Sequence, residues 1–203
     1  MRVVATADIH NTKPRLPDGD MLLVCGDLTE TGSLDQLLRF RDWLGSQTHK
    51  HKVVIAGNHD FCLEQSSKRQ EAELALGSVC TYLFDQGTTI EGKTIYGSPW
   101  QPWFHNWAFN LSRGASLVEK WTKIPANLDI LMVHGPPFGF GDRTMYGDSV
   151  GCQDLLAELY IKKPKYTLYG HIHEDTGAWL SQGLNFVNCS SDYGSKPAYE
   201  FDI

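Results

Sequence analysis

The stretch VVIAGNHD, residues 53–60, changes within a few positions from an apolar, β-branched run to a polar cluster. The run Val53 to Ala56 predicts a buried strand, and Gly57-Asn58-His59-Asp60 predicts the loop at its carboxyl end. In an α/β sheet, the loops at the carboxyl ends of the strands gather at one edge, where ligands bind. This stretch therefore predicts both a sheet and a functional site at its edge.

The same pattern of a strand followed by a polar cluster recurs along the chain. The other four clusters are Asp8-Ile9-His10, Gly26-Asp27, His134-Gly135 and Gly170-His171-Ile172-His173. The runs before them are 3–5, 21–25, 130–133 and 166–169. Because each cluster lies where a strand is expected to end, residues far apart in sequence are expected to meet at one place.

The clusters contain the ligand types that divalent metals use in phosphate chemistry, namely carboxylate and amide oxygens and imidazole nitrogens. Asp8 and His10 are two residues apart and could bind one metal from a single turn. Asp27 could bridge two ions with its two oxygens, and Asn58 offers a neutral carbonyl oxygen. The remaining nitrogen ligands are His134, His171 and His173. One such motif alone would be weak, but five in this order predict a two-metal site.

In order and spacing, the five clusters resemble the calcineurin-like metallophosphoesterase superfamily over essentially the whole chain. Residues 54–59, 96–104 and 130–137 also resemble its metallophosphoesterase-domain-containing branch. The resemblance implies a four-layer α/β/β/α sandwich, in which two mixed β-sheets are flanked by helices. It implies that one metal binds Asp8, His10, Asp27 and His173, and that the other binds Asp27, Asn58, His134 and His171, with Asp27 bridging.

Some animal members of that branch have Gly in place of the first histidine of the last motif. His171 is present here, so the second ligand set looks complete, which favours an enzyme over a non-catalytic scaffold. Two ions roughly 3.5–4 Å apart lower the pKa of a shared water, whose hydroxide can attack phosphorus in line. Asp27 and His59 are the predicted catalytic residues. His59 is not needed as a ligand, so it could protonate the leaving oxygen or orient the phosphate.

Apolar periodicity predicts three helices, over 33–45, 64–76 and 151–163. Strand patterns fall near 2–7, 21–25, 52–56, 81–84, 88–97, 128–133, 166–170, 177–189 and 198–202. Hairpin-like turns at Glu91-Gly92 and Gln182-Gly183 interrupt two of these stretches. We expect two packed sheets with helices outside, in a single domain over residues 1–203. Two long loops, about 98–113 and 135–150, have no such pattern, and loops of that length are usually functional.

The loop 98–113 contains three tryptophans and a phenylalanine between Trp100 and Trp107. Aromatic side chains with one wet edge suit stacking on a nucleobase. A hydrophobic plug under the loop, or a contact between subunits, would use the same residues. The role of Asp60 also has two alternatives, because its carboxylate could fix the tautomer of a histidine or cap a turn. The predicted substrate-binding residues are Asn58, His59, Trp100, Trp103, His105 and Arg143.

Composition narrows the range of partners. The net charge is −6 with a pI near 5.7, and no basic run is present, which argues against a long nucleic acid. No apolar stretch reaches about 18 residues, so no membrane contact is expected. The five scattered cysteines are expected to be reduced, as in a cytoplasmic protein. A monomer and a homodimer both remain open.

We therefore expect a metal-dependent phosphodiesterase that acts on a small phosphate ester, such as a cyclic or short nucleotide. A phosphomonoesterase, including a protein phosphatase, is the alternative enzyme, and a scaffold that reuses the fold is the alternative outside enzymes. The expected cofactors are two divalent metal ions. Mn²⁺ is favoured, and the mixed nitrogen and oxygen ligands also permit Fe, Zn²⁺, Co²⁺ or Mg²⁺.

Overall fold

Strand β2 (Met21–Cys25) shows how the chain builds two layers at once. Leu22 and Val24 point to one face of the strand and pack against helices, whereas the alternate residues pack against a second sheet. Successive side chains of a strand point to opposite faces. A strand that is covered on both faces is therefore apolar at every position, and all five residues of β2 are buried.

The computed structural model describes residues 1–203, apart from the side chain of Ser66. Its other strands are β1 (Arg2–Thr6), β3 (His51–Ile55), β4 (Thr81–Tyr82), β5 (Gln86–Ile90), β6 (Lys93–Ser98), β7 (Gln101–Pro102), β8 (Asn110–Leu111), β9 (Ile130–Val133), β10 (Tyr166–Tyr169), β11 (Gly177–Ser181), β12 (Leu184–Asn188) and β13 (Tyr199–Asp202). The first large sheet has the order β13-β1-β2-β3-β4 and the second has the order β11-β12-β10-β9-β6-β5, while β7 and β8 form a separate pair.

Most neighbouring strands in both large sheets are parallel. In the first sheet β1 to β4 are parallel and only β13 runs the other way. In the second sheet β12, β10, β9 and β6 are parallel, and the antiparallel strands β11 and β5 lie at its two edges. Parallel strands end at the same edge of their sheet, so the loops that follow them are neighbours.

Helices cover the outer faces of both sheets. They are α1 (Leu34–Gly45), α2 (Phe61–Glu64), α3 (Ser66–Gly77), α4 (Ala115–Trp121) and α5 (Gln153–Lys162). The first three pack on the first sheet and the last two on the second. The expected four-layer α/β/β/α sandwich of two mixed sheets is thus confirmed. Within the described residues, no helix combines the length and the apolar character that crossing a bilayer requires.

The three helices predicted from periodicity correspond to α1, α3 and α5, and the Ser33 hydroxyl accepts a hydrogen bond from the Gln36 amide at the start of α1. The sequence pattern does not predict α4, because seven residues are too few for a clear helical period. The expected loop 98–113 also contains the short strands β7 and β8. All five cysteines are unpaired.

Asp129, just before β9, joins the starts of three strands of the second sheet. One carboxylate oxygen accepts hydrogen bonds from the amide of Thr94 at 2.9 Å and from its hydroxyl at 3.0 Å. The other accepts one from the Lys165 ammonium at 2.7 Å. The Lys165 hydrogen bond is the main reason that the pKa of Asp129 falls to about 2.

We expect Asp129→Asn to lower the free energy of unfolding by about 1 kcal/mol at pH 7. The folded-state pKa lies below the unfolded value of about 3.9, so the carboxylate stabilises the fold above that pH and the effect fades as the pH falls toward 2. Urea unfolding of both proteins at pH 7, 4 and 3 measures this. The exposed Asp18→Asn is the control, and a deficit that does not shrink with falling pH would contradict the assignment.

Candidate metal centre

Five strand ends meet at one edge of the sandwich. The loops after β1, β2 and β3 come from the first sheet, and the loops after β9 and β10 come from the second. Backbone hydrogen bonds connect them, from the Asp8 amide to the Gly26 carbonyl and from the Gly170 amide to the His134 carbonyl. The structure brings all seven predicted metal ligands to this edge: Asp8, His10, Asp27, Asn58, His134, His171 and His173.

The first group of ligand atoms surrounds His10. Oxygen and nitrogen atoms of Asp8, His10 and His173 lie within 4.8 Å of one another. The Nε2 atom of His10 is 3.7 Å from Oδ2 of Asp27, and Nε2 of His173 is 3.8 Å from Oδ1 of Asp8. The Nε2 atom of His10 is buried and makes no hydrogen bond. Buried polar atoms are normally paired, so this arrangement fits a bound metal ion.

The second group surrounds Asn58. Its side-chain oxygen lies 2.8 Å from Nε2 of His134 and 2.7 Å from Nδ1 of His171. The same Nε2 of His134 is 3.4 Å from Oδ1 of Asp27. The other ring nitrogen of His134 is 2.9 Å from the Cys25 carbonyl, to which it donates. That hydrogen bond orients the ring and directs Nε2 toward the ligand cluster, as is usual for histidines that bind metals.

Burial and neighbouring charges set the protonation of this cluster. Burial lowers the pKa of His10 to about 4 and, together with the nearby His134, lowers that of His171 to about 3. Both rings are therefore neutral and have lone pairs available at neutral pH. Burial opposes the charged forms of Asp27 and His134 as well, but their mutual attraction outweighs it. This attraction raises the pKa of His134 to about 9 and lowers the pKa of Asp27 below its usual range.

Several residues of the cluster have an unusual backbone conformation. Asp8, His10, Asp27 and His171 have φ values of 54°, 46°, 51° and 70°, in the left-handed region that side chains rarely adopt. Such conformations persist only where surrounding contacts hold them. Here the His171 amide donates to both carboxylate oxygens of Asp8, at 3.1 and 3.0 Å. Loops of the two sheets therefore support each other at the metal centre.

Asp60 connects the loops after β2 and β3. Its buried carboxylate accepts hydrogen bonds from the amides of Gly57, Leu28 and Thr29 at 2.8, 3.2 and 2.9 Å, and from the Thr29 hydroxyl at 2.7 Å. Burial and the charge of Asp27 raise its pKa to about 6, against the effect of these donors. The contacts favour the turn-capping alternative over a role in fixing a histidine tautomer.

His59 faces the cluster from the side. Its Nε2 atom is 4.0 Å from Oδ2 of Asp27, and its Nδ1 atom is 2.6 Å from the Glu30 carbonyl oxygen. Because a carbonyl only accepts, Nδ1 carries the hydrogen and Nε2 faces the metal centre. The Trp107 ring lies at 60° to His59 with 4.0 Å between centroids, which limits rotation of the imidazole.

Three residues that sequence reasoning missed surround the ligands. Glu30 Oε2 is 3.2 Å from Nδ1 of His10, and Asp192 Oδ1 is 3.2 Å from Nδ1 of His173. The Tyr193 ring stacks on His10, with 4.4 Å between centroids and 21° between planes. The sequence does contain a signal for Asp192 and Tyr193, because both lie in a polar turn that follows β12. The end of β12 is a sixth strand end, beside β10.

Trp100, one of the predicted substrate-binding residues, lies under the loop. Its indole nitrogen donates to Asp85 Oδ2 at 2.8 Å, and the Lys120 ammonium lies 4.3 Å from its ring centroid. The ring also contacts Phe109, with 5.7 Å between centroids. These contacts favour the hydrophobic-plug alternative for Trp100.

The other predicted substrate residues lie nearer the surface. Trp103 lines a cavity of about 500 Å³ that also borders His171. His105 and Arg143 are exposed and are not among the residues that line this cavity. The Arg143 amide donates to Asp175, and the backbone forms a bridge with Ser149. Substrate contact therefore stays a prediction for His105 and Arg143. Trp103 lines a cavity in which a substrate could contact it.

We expect Gly170→Ala to weaken metal binding by roughly 10–100-fold, as displaced supporting groups do at metal sites. A Cβ atom at Gly170 would lie 2.4 Å from Oδ2 of Asp8, so either Asp8 or the neighbouring His171 must move. Isothermal titration with Mn²⁺ and the metal-induced rise in Tm measure the effect. Gly77→Ala is the matched control, because its Cβ would meet no atom within 4 Å. Unchanged affinity in Gly170→Ala would contradict this account of the loop.

Known proteins are similar to this chain in sequence and in fold. Residues 1–175 match the family of calcineurin-like phosphoesterases. Human metallophosphoesterase domain-containing protein 1 is 39% identical over 215 aligned positions, which cover 93% of this chain and 65% of that protein. This chain thus spans slightly less than two thirds of the length of that relative.

Two more distant proteins are also similar. A probable cyclic nucleotide phosphodiesterase from Synechococcus sp. is 28% identical over 177 positions, covering 84% of this chain and 63% of that protein. The crystal structure of TT1561 from Thermus thermophilus has a TM-score of 0.64 at 11% identity, covers 99% of this chain and 98% of that one, and shares the fold. By the match to residues 1–175 and the identity to the human relative, the chain belongs to the calcineurin-like phosphoesterase family.

Proposed function

We propose that this chain is a phosphodiesterase that depends on two divalent metal ions and hydrolyses small or cyclic nucleotide-like substrates. One observation carries the proposal. Seven side chains with metal-binding atoms converge from five strand ends, and His59 faces them without being needed as a ligand. Family membership supports phosphoester chemistry in general. The choice of a diester and of a nucleotide-like group goes beyond the family.

The donors fit two hard or borderline divalent ions. They comprise carboxylates, one amide oxygen and imidazole nitrogens, and we propose Mn²⁺ as the favoured occupant. Asp8, His10 and His173 would hold one ion. Asn58 and His134 would hold the other together with His171, and the Asp27 carboxylate lies between the two sets. When bound, the ions would supply positive charge for the phosphate and lower the pKa of the attacking water.

Asp27 divides the site into two sides. Its Oδ2 atom faces His10 and His59, at 3.7 and 4.0 Å, whereas its Oδ1 atom faces His134 at 3.4 Å. The Oδ1 atom also accepts a hydrogen bond from the His59 amide at 2.8 Å. A carboxylate held in this way keeps a fixed orientation, so Asp27 would present one oxygen to each set of donors.

His59 is the proposed proton donor to the leaving oxygen. The Glu30 carbonyl holds the hydrogen on Nδ1, so a second proton would lie on Nε2, toward the reacting phosphate. Trp107 packs against the ring and keeps it in this direction. A proton delivered here would neutralise the alkoxide as the phosphorus–oxygen bond breaks.

Charge and similarity support a small diester substrate. A chain with a net charge of −6 would repel a long polyanion. The similar protein from Synechococcus sp. is named as a probable cyclic nucleotide phosphodiesterase. A monoester carries more negative charge than a diester, and the exposed carboxylates Asp148 and Glu174 near His171 would oppose it.

We expect His59→Ala to lower kcat on cyclic AMP, whose leaving group is an alkoxide, by about 10²–10⁴-fold in the presence of Mn²⁺, because the general acid is removed. The rate on bis-p-nitrophenyl phosphate should fall much less, because nitrophenolate leaves without a proton. Mn²⁺ affinity should change little, since His59 is not among the proposed ligands. Chromatography of the AMP product measures the rate on cyclic AMP. Release of p-nitrophenol from the bis ester, with p-nitrophenyl phosphate as the monoester probe, gives the second rate and the diester preference.

The matched control is His51→Ala. His51 lies at the amino end of β3, away from the site, and pairs with Glu91 at 2.9 Å. This variant should keep the wild-type rate. Faster turnover of the monoester than of the diester would contradict the proposal and indicate a phosphomonoesterase. No turnover of either ester, with two metal ions bound per chain, would indicate a non-catalytic scaffold.

A further inference from the structure

The cavity beside the metal centre lies between the two long loops. It has a volume of about 500 Å³, enough for a nucleoside-sized group. Trp103 and Phe104 line it from the first loop, and Met145 and Tyr146 line it from the second. Both loops therefore contribute large apolar side chains to one concave surface.

These apolar side chains are unusually open to water. Tyr146 is 83% exposed, Met145 is 72% exposed and Trp103 is 61% exposed. Exposed apolar side chains clustered around a cavity commonly mark a binding site. The three aromatic rings of Trp103, Phe104 and Tyr146 and the thioether of Met145 provide flat, polarisable surface, which suits another flat ring. The chemistry of the walls thus favours an aromatic occupant.

The inner end of the cavity connects with the metal centre. Gly135, which follows His134, lines it together with His171 and Ile172. Gly135 and His171 lie on the Oδ1 side of Asp27, because His134 is 3.4 Å from Oδ1 and shares the Asn58 oxygen with His171. The proposed proton donor faces Oδ2. A diester bound at the metals would therefore direct its leaving oxygen away from the cavity. Its other ester group, which stays on the phosphate, would enter the cavity.

Charges around the cavity restrict this group further. Arg113 contributes to the lining, but its guanidinium donates to the carbonyl oxygens of Val150 and Gly151. Asp148 and Glu174 add negative charge to the same surface. A second phosphate on the occupant would meet these carboxylates and would find the nearest guanidinium already engaged. A neutral occupant is favoured.

We propose that this cavity binds the retained ester group of the substrate, and that this group is neutral and aromatic, as in a nucleoside or an aryl alcohol. The inference rests on the proposed phosphodiesterase function of the same site. It assigns to Trp103 and Tyr146 a role in choosing the substrate, separate from the chemical step.

A series of diesters with one shared leaving group tests the proposal. Methyl, phenyl and thymidine 5′ esters of p-nitrophenyl phosphate all release p-nitrophenol but differ in the retained group. For the Mn²⁺-loaded wild type, we expect kcat/KM to be roughly tenfold or more higher for the two aromatic esters than for the methyl ester. The ratio of the phenyl to the thymidine ester distinguishes a simple aryl group from a nucleoside.

Substitutions in the cavity wall test whether the cavity causes the preference for aromatic esters. Trp103→Ala and Tyr146→Ala should each reduce the advantage of the aromatic esters by roughly fivefold or more. Phe138→Ala removes an exposed aromatic side chain that lies outside this cavity, and should keep the advantage. Isothermal titration of the metal-loaded protein with phenylphosphonate and methylphosphonate repeats the comparison without turnover, and tighter binding of the phenyl compound is expected.

The outcomes separate this inference from the proposed function. Turnover of all three esters at similar rates, with equal affinity for the two phosphonates, would overturn the inference and leave the phosphodiesterase intact. No turnover of any ester would overturn the proposed function itself. A change in sedimentation of Tyr146→Ala without a change in ester preference would also overturn the inference, because the apolar surface would then be a contact between copies of the chain.

Discussion

Contact between the inner faces of the two sheets holds the candidate metal centre together, because each sheet carries only part of it. The loops of the first sheet supply Asp8, His10, Asp27 and Asn58, and those of the second supply His134, His171 and His173. Interdigitated apolar residues such as Leu23, Met132 and Leu168 set the distance between the sheets. A shift of one sheet against the other would separate the two halves of the ligand set, so the hydrophobic core determines the geometry of the polar site.

The side chains of the candidate metal centre combine several features that lower the stability of a fold. The centre combines a buried carboxylate pair, a histidine whose Nε2 atom makes no hydrogen bond and four residues in left-handed backbone conformations. Each feature would destabilise an isolated loop. They are tolerated because loops from opposite sheets bond to one another, as in the contact of the His171 amide with Asp8, and because Asp60 anchors the first-sheet loops through buried hydrogen bonds. Arrangements of this kind are typical of sites that are stabilised by a ligand.

In the proposed mechanism, the group that donates the proton and the cavity that binds the substrate lie on opposite sides of Asp27. His59 lies on one side, held by the Glu30 carbonyl and by Trp107, and its position suits proton transfer. The apolar cavity opens on the other side, where the two long loops meet. In this arrangement the chemical step depends on residues next to the rigid strand ends. Substrate choice would depend on Trp103 and Tyr146 in longer loops, which can change without disturbing the ligands.

The sequence by itself determined the strand ends, the seven candidate ligands and the family. Each of these depends on local pattern, in which an apolar run gives way to a polar cluster with glycine. Only the tertiary structure decided which neighbours surround the ligands. Asp60 caps turns, Asp192 and Tyr193 contact ligand histidines, and Trp100 is a plug while Trp103 lines a cavity. These roles depend on contacts between residues that are distant in sequence, so no local pattern encodes them.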